Sequence, residues 1–142
     1  VTAPDDGAVE VRVDGAAEPE WLDAVHDGLA RLWSAAPSVP ELDRLRFETA
    51  VIEIATNVVR HTTPVGDRPV RATTVLRADP PLLEAEICDD GTVADVDLDP
   101  AAVDDAAESG RGIALVQRAV DTLTFVRRPG RNTWRITRDW ST

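Results

Sequence analysis

Glu53 and Asn57 stand four residues apart, with Arg60 and His61 following at seven and eight, so on a helix all four fall along one stripe. An amide oxygen at Asn57 is a ligand for a hard divalent cation, and a carboxylate one turn away can orient or deprotonate a hydroxyl beside a phosphate. On most helices such a pair is only a solvated edge, so it acquires meaning from the motifs downstream in the chain. Further on, Cys88-Asp89-Asp90-Gly91 closes a strand-like run. Asp89 there can accept a hydrogen bond from an exocyclic amine, and Gly91 lets the backbone turn sharply or approach a ligand closely; a plain Asp-Gly turn is the alternative. Ser109-Gly110-Arg111-Gly112 then opens an apolar-periodic segment, where unpaired backbone N–H groups make either an anion site or simply a flexible helix entry. The order and distance of the three signals, with hairpin-like runs between and after them, argue against coincidence.

The elements that must position these residues follow from periodicity. Residues 8–13 alternate as a half-buried strand, and Pro19 to Trp33 carries Trp21, Leu22, Val25, Leu29, Leu32 and Trp33 at helical spacing. Ser38-Val39-Pro40-Glu41 has the form of a capping box and predicts a second helix from 40 to about 62, ended by Thr63-Pro64. Its Phe47, Val51, Ile54 and Val58, with Ala50 at the margin, form an apolar stripe beside the Glu53 stripe. Residues 69–78 and 82–88 predict one hairpin, and 122–128 with 132–138 a second about Pro129-Gly130. Between them, residues 92–109 hold Asp95, Asp97, Asp99, Asp104, Asp105 and Glu108 with no base and predict a loop; a short helix follows from Gly110 to Val120, with Ile113, Val116 and Val120 on one face. Residues 1–7 read as a frayed terminus. The expected fold is α+β, a two-layer α/β sandwich with a mixed, mostly antiparallel sheet covered by helices on one face.

Composition narrows the chemistry. A chain of 142 residues with 43% hydrophobic content suits one domain, 1–142. A formal net charge of −11 would repel a nucleic-acid backbone. All 15 basic residues are arginine, which removes a P-loop and a eukaryotic-type protein kinase, both of which need a lysine on the phosphates. No apolar run is long enough to span a bilayer, no basic and apolar leader opens the sequence, and the single Cys88 cannot form an internal disulfide, so a cytoplasmic protein is expected.

With these motifs in this order, residues 8–138 resemble the GHKL (Bergerat-fold) ATPases. Phe47–His61 looks like the N box of that superfamily, Asp89-Asp90-Gly91 like its first glycine box, and Glu108–Leu115 like its second. The resemblance implies ATP and Mg2+ as cofactors. By it, Asn57 holds the magnesium and Glu53 is the general base. Asp89, with Gly91 beside it, binds the adenine amino group, and Thr133 in Arg131-Asn132-Thr133-Trp134 takes the place of a hydroxyl near the adenine. Gly110, Arg111 and Gly112 lie against the phosphates, with Arg60 a further candidate for them. Where the first glycine box has a second glycine, this chain has Val93.

The small size, the N box ending in Arg-His and the Gly-Arg-Gly-Ile-Ala-Leu form are similar to the anti-sigma-factor serine kinases in particular. No histidine-phosphorylation domain stands ahead of the motifs in these residues, which turns the expectation away from a sensor histidine kinase. The resemblance implies a sigma factor and an anti-anti-sigma (STAS-type) protein as partners, phosphorylation of the latter on serine or threonine, and a homodimer. Val93 and the acidic loop keep a second expectation open: a nucleotide-sensing binding module that sequesters a partner without phosphorylating it. Trp21 and Trp33 are assigned to the core ahead of an interface. Arg127, Arg128, Arg131, Arg135 and Arg138 are assigned to a solvated face ahead of an acidic partner, and His26 to the surface.

Overall fold

The computed structural model describes residues 7–93 and 108–141. Of the frayed terminus expected at 1–7, residues 1–6 lie outside the described residues, as do the loop residues 94–107 with five of the acids named above. In chain order the elements are β1 (Val9–Ala16), α1 (Pro19–Ala35), α2 (Glu41–His61), β2 (Thr62–Thr63), β3 (Arg71–Asp79), β4 (Leu82–Asp89), β5 (Thr92–Val93), α3 (Glu108–Ala119), β6 (Thr122–Arg128) and β7 (Arg131–Asp139). Five strands form one sheet in the order β1-β3-β4-β7-β6, and β2 pairs with β5 in a separate two-stranded ribbon.

The fold is the expected α+β sandwich, with one correction. Every described ladder is antiparallel, so the mixed character anticipated for the sheet is not found among the described residues. An antiparallel sheet covered on one face alternates apolar-in and polar-out. Across the sheet, Val11, Leu76, Ala85, Ile136 and Leu123 form one helix-facing row, and Val13, Thr74, Ile87, Trp134 and Phe125 the next. The row beyond it is Gly15, Ala72, Asp89, Asn132 and Arg127. Here the large apolar side chains stop, and small and polar ones take over on the same face.

Helix α1 buries Trp21, Val25, Leu29 and Leu32, and lies so close to β1 that a Cβ at Gly28 would stand 2.8 Å from Val13 Cγ2. Helix α2 buries Phe47, Ala50, Val51, Ile54 and Val58, the expected stripe. Trp33 meets the Phe47 ring edge-on at 6.0 Å, so both aromatic residues of α1 serve packing, as assigned. His26 is exposed. No helix among the described residues is long and apolar enough to cross a membrane.

The capping box does not form. Pro40 is the N-cap of α2 and no side chain caps it. Arg44 holds the turn instead, donating from Nε to the Val39 carbonyl at 2.8 Å and from Nη2 to the Pro37 carbonyl at 2.9 Å. The arginines of the last hairpin do not make one face. Arg131 and Arg135 approach Glu86 at 3.7 and 2.7 Å on the open side of the sheet, while Arg138 reaches Asp43 of α2 at 2.9 Å on the other.

The loop boundaries also shift. Thr92 and Val93 belong to β5, paired with Thr63 and Thr62 at the end of α2, and the hydroxyls of Thr63 and Thr92 bond to each other. At the far end α3 begins at Glu108, so Gly110 and Arg111 lie inside its first turn, two residues later than a helix start at Gly110 would place them. Val116 and Val120 are buried and Ile113 packs beside them, the face expected.

Candidate functional site

Asp89 ends β4 and falls in phase with Leu83, Ala85 and Ile87, so the strand's own alternation carries its carboxylate under the helices. It is 3% exposed. One oxygen, Oδ1, accepts from the Gly91 backbone N–H at 3.0 Å and from Asn132 Nδ2 at 2.8 Å. The other, Oδ2, is buried and has no partner. Burial pushes the carboxyl above its ordinary value; the Asn132 and Gly91 bonds oppose that shift, and the neighbouring charge of Asp90 adds to it. A buried acceptor left unpaired is costly, and costlier when charged, so this oxygen marks where an N–H donor belongs. An exocyclic amine fits that requirement.

Asn132, which sequence reasoning passed over, is 2% exposed and donates from Nδ2 to both Asp89 Oδ1 and the Gly91 carbonyl, each at 2.8 Å. Thr133, assigned from the resemblance to the adenine side, needs correction. Consecutive strand residues point to opposite faces, and Thr133 pairs with Cys88, its Oγ1 lying 3.5 Å from Cys88 Sγ on the open face. It therefore does not share the face of Asp89. The signal for the residue that does share that face lay in the sequence: Trp134 and Ile136 set the inward phase, and Asn132 is in phase with them.

Gly91 is required by close packing against protein. A Cβ there would stand 3.0 Å from Thr62 Cβ, from the Thr63 carbonyl oxygen and from Val70 Cγ2. The chain leaving β4 thus passes flush against the end of α2, where β2 and β5 begin.

On α2, Glu53 and Asn57 are half-buried at the border of the apolar stripe and Arg60 is exposed beyond them. The second glycine box comes directly onto this edge. Gly112, buried in α3, lies directly against Glu53: a Cβ there would fall 2.0 Å from Glu53 Oε1, so the carboxylate would have to move. The structure thus brings Glu53 together with Gly112, and Asp89 with Gly91 and Asn132, and α2 packs on both β4 and β7. Gly110 and Arg111 contribute first-turn N–H groups of α3, the ones without intrahelical acceptors. No three acidic, His or Cys side chains converge as a metal centre among the described residues.

The fold is an α/β sandwich whose buried, unpartnered Asp89 Oδ2 lies on the helix-covered face of the sheet. Residues 15–138 match the family model of the histidine kinase-like ATPase domain, and the chain belongs to that family of ATP-binding domains. A search of curated protein sequences finds no match. Among solved structures the chain is similar to the RsbU and RsbW domains of Rv1364c from Mycobacterium tuberculosis, with TM-score 0.65 and 16% identity over 92% of this chain and 32% of that one. It is also similar to the histidine kinase domain of the Erythrobacter litoralis EL346 blue-light activated histidine kinase, with TM-score 0.57 and 17% identity over 99% of this chain and 65% of that one. The chain spans less than two thirds of either, and at these identities the likeness is one of fold.

Proposed function

We propose that this domain is an ATP-dependent serine/threonine protein kinase of the anti-sigma-factor type, acting in partner switching: it binds a sigma factor and phosphorylates an anti-anti-sigma (STAS-type) protein. The observation that carries the nucleotide part is the buried, unpartnered Oδ2 of Asp89, an acceptor waiting for the amino group of adenine. The phosphoryl-transfer part rests on Glu53 and Asn57 at the helix edge, with the first turn of α3 beside them. The anti-sigma part rests on the sequence resemblance.

In this reading Asn57 holds Mg2+, which neutralises phosphate charge when bound. Gly110, Arg111 and Gly112 line the phosphates, with Arg60 a further cation for them. Glu53 accepts the proton of the partner's hydroxyl as that oxygen bonds to the γ-phosphorus; the bond from phosphorus to the bridging oxygen breaks, and ADP leaves. The test mixes the protein with Mg2+, γ-labelled ATP and STAS-type partners. Glu53→Ala should lower label transfer by about 10²–10⁴-fold. Equal transfer by the two proteins would remove Glu53 from the role.

One observation favours a second reading, a nucleotide-sensing module without transfer. Val93, where the resemblance leads to a glycine, is paired into the ribbon with Thr62, which ties down the start of the loop. In that case ATP would alter partner affinity and no phosphoprotein would appear by mass spectrometry.

A further inference from the structure

We infer that Asn132 is the residue that sets base selectivity: by holding Asp89 Oδ1 and the Gly91 carbonyl together, it leaves Asp89 Oδ2 as the single acceptor facing the nucleotide. The inference rests on the ATP-binding reading of the site and goes beyond it by assigning discrimination between bases to a residue that need not touch the base.

Donors and acceptors decide the matter. The two N–H bonds of the Asn132 amide have two acceptors within 2.8 Å, one a carboxylate oxygen and one a carbonyl. Turning the amide over would set its oxygen against both, oxygen to oxygen, so its orientation is fixed by chemistry. The Gly91 N–H supplies the second bond to Asp89 Oδ1, and together the two donors lock the plane of the carboxylate. Rotation that would bring Oδ1 toward the nucleotide breaks both bonds inside a buried site. What remains is Oδ2, an acceptor and nothing else. A 6-amino purine offers it a donor; a 6-oxo purine sets an oxygen against it; a purine with hydrogen at position 6 leaves it unpaired. The same two bonds favour the charged carboxylate and oppose the upward push of burial.

The same pair of bonds also ties the first glycine box to β7. Because Asn132 grips the Gly91 carbonyl, the carboxylate and the turn after it are held as one unit. A threonine at 132 would keep one donor and lose the other, and an alanine would lose both.

The experiment is calorimetric titration of the full chain in Mg2+ with ATP, with purine riboside triphosphate, which lacks the 6-amino group, and with GTP. The unmutated protein should prefer ATP over purine riboside triphosphate by roughly 10- to 100-fold, the range for one hydrogen bond to a charged group, and reject GTP more strongly. Asn132→Ala should bring the ATP to purine-riboside ratio to within about 3-fold, since a freed carboxylate no longer presents a fixed acceptor. Asn132→Thr should fall between. A residue that merely stabilises the fold would weaken both ligands alike and leave the ratio unchanged. Thermal unfolding of each variant identifies loss of folding, and Asn132→Thr, with a donor of its own, carries the test should Asn132→Ala not fold. A ratio in either folded variant equal to that of the unmutated protein would overturn the inference while leaving ATP binding in place. ATP binding without preference in the unmutated protein would overturn the inference through Asp89, and absence of all ATP binding would overturn the reading of the site itself.

Discussion

The Asp89 end of the site and the Glu53 end are built on different principles. At Asp89 every partner is a hydrogen bond between named groups: Gly91 N–H, the Asn132 amide, and the Gly91 carbonyl that the same amide holds. Two segments distant in sequence, the end of β4 with its turn and the start of β7, are fastened there before any ligand arrives. At Glu53 the carboxylate is positioned by contact, with the bare backbone of Gly112 lying where a side chain would otherwise stand. Hydrogen bonds fix direction, and direction is what recognition of a base requires. Contact fixes distance, and in the kinase reading the group held in this way is the one that takes up a proton. Selectivity and turnover should therefore be open to separate damage.

Gly112→Ala is the sharpest way to break the Glu53 end. The new methyl cannot coexist with Glu53 where it stands, so either the carboxylate swings out or α3 shifts. In the kinase reading, phosphoryl transfer should fall about 10²-fold, the scale for an ångström of misplacement, with ATP affinity changed only a fewfold. Transfer rates measured beside calorimetric affinities check this. Parallel loss of both would mean that the two ends are not separable.

Asp89→Asn attacks the other end with a smaller effect. It keeps shape and removes charge, so ATP affinity should drop by roughly tenfold or more. Transfer from bound nucleotide at saturating ATP should stay within a fewfold. A variant that bound ATP unchanged would remove Asp89 from recognition of the base.

The same contrast explains what the sequence made legible. The apolar stripe of α2, with Glu53 and Asn57 beside it, was readable because helical periodicity is local and the stripe is long. Asp89 was readable because it closes a strand with Asp-x-Gly. Asn132 was not read because its function arises from pairing β4 with β7, a contact between distant segments. Its inward phase was nonetheless written in Trp134 and Ile136, and following that alternation two residues back would have chosen it over Thr133. The capping box failed because α2 begins at Glu41 with Pro40 as its N-cap, two residues after Ser38, and proline offers no side-chain acceptor; Arg44 ties the preceding turn through its carbonyls instead. The two-residue strands β2 and β5 are too short to carry any period, and only the closeness of Gly91 to Thr62 and Thr63 creates them.

The smallest expected effect concerns stability, and its sign tells whether Asp89 is held for function. Burial is the largest influence on its carboxyl and raises it above the ordinary 3.8. The folded protein therefore retains that proton to higher pH than the unfolded chain does. Across the window from the ordinary value up to the raised one, the folded state binds more protons, so the Asp89 contribution to stability declines as pH rises and is flat beyond. Above the raised value the nucleotide-free protein carries a buried charge with one unpaired oxygen, at a cost of about 1 kcal/mol. Asp89→Asn should relieve part of it: melting of the nucleotide-free variant should match the parent near pH 4 and exceed it by about 1–3 °C at pH 7. Added ATP should reverse the order, because a ligand stabilises in proportion to how tightly the folded state binds it. A variant less stable than the parent by the same margin at both pH values would show that the carboxylate is held for the fold. Reversal by ATP would show that the buried charge is a cost carried for binding.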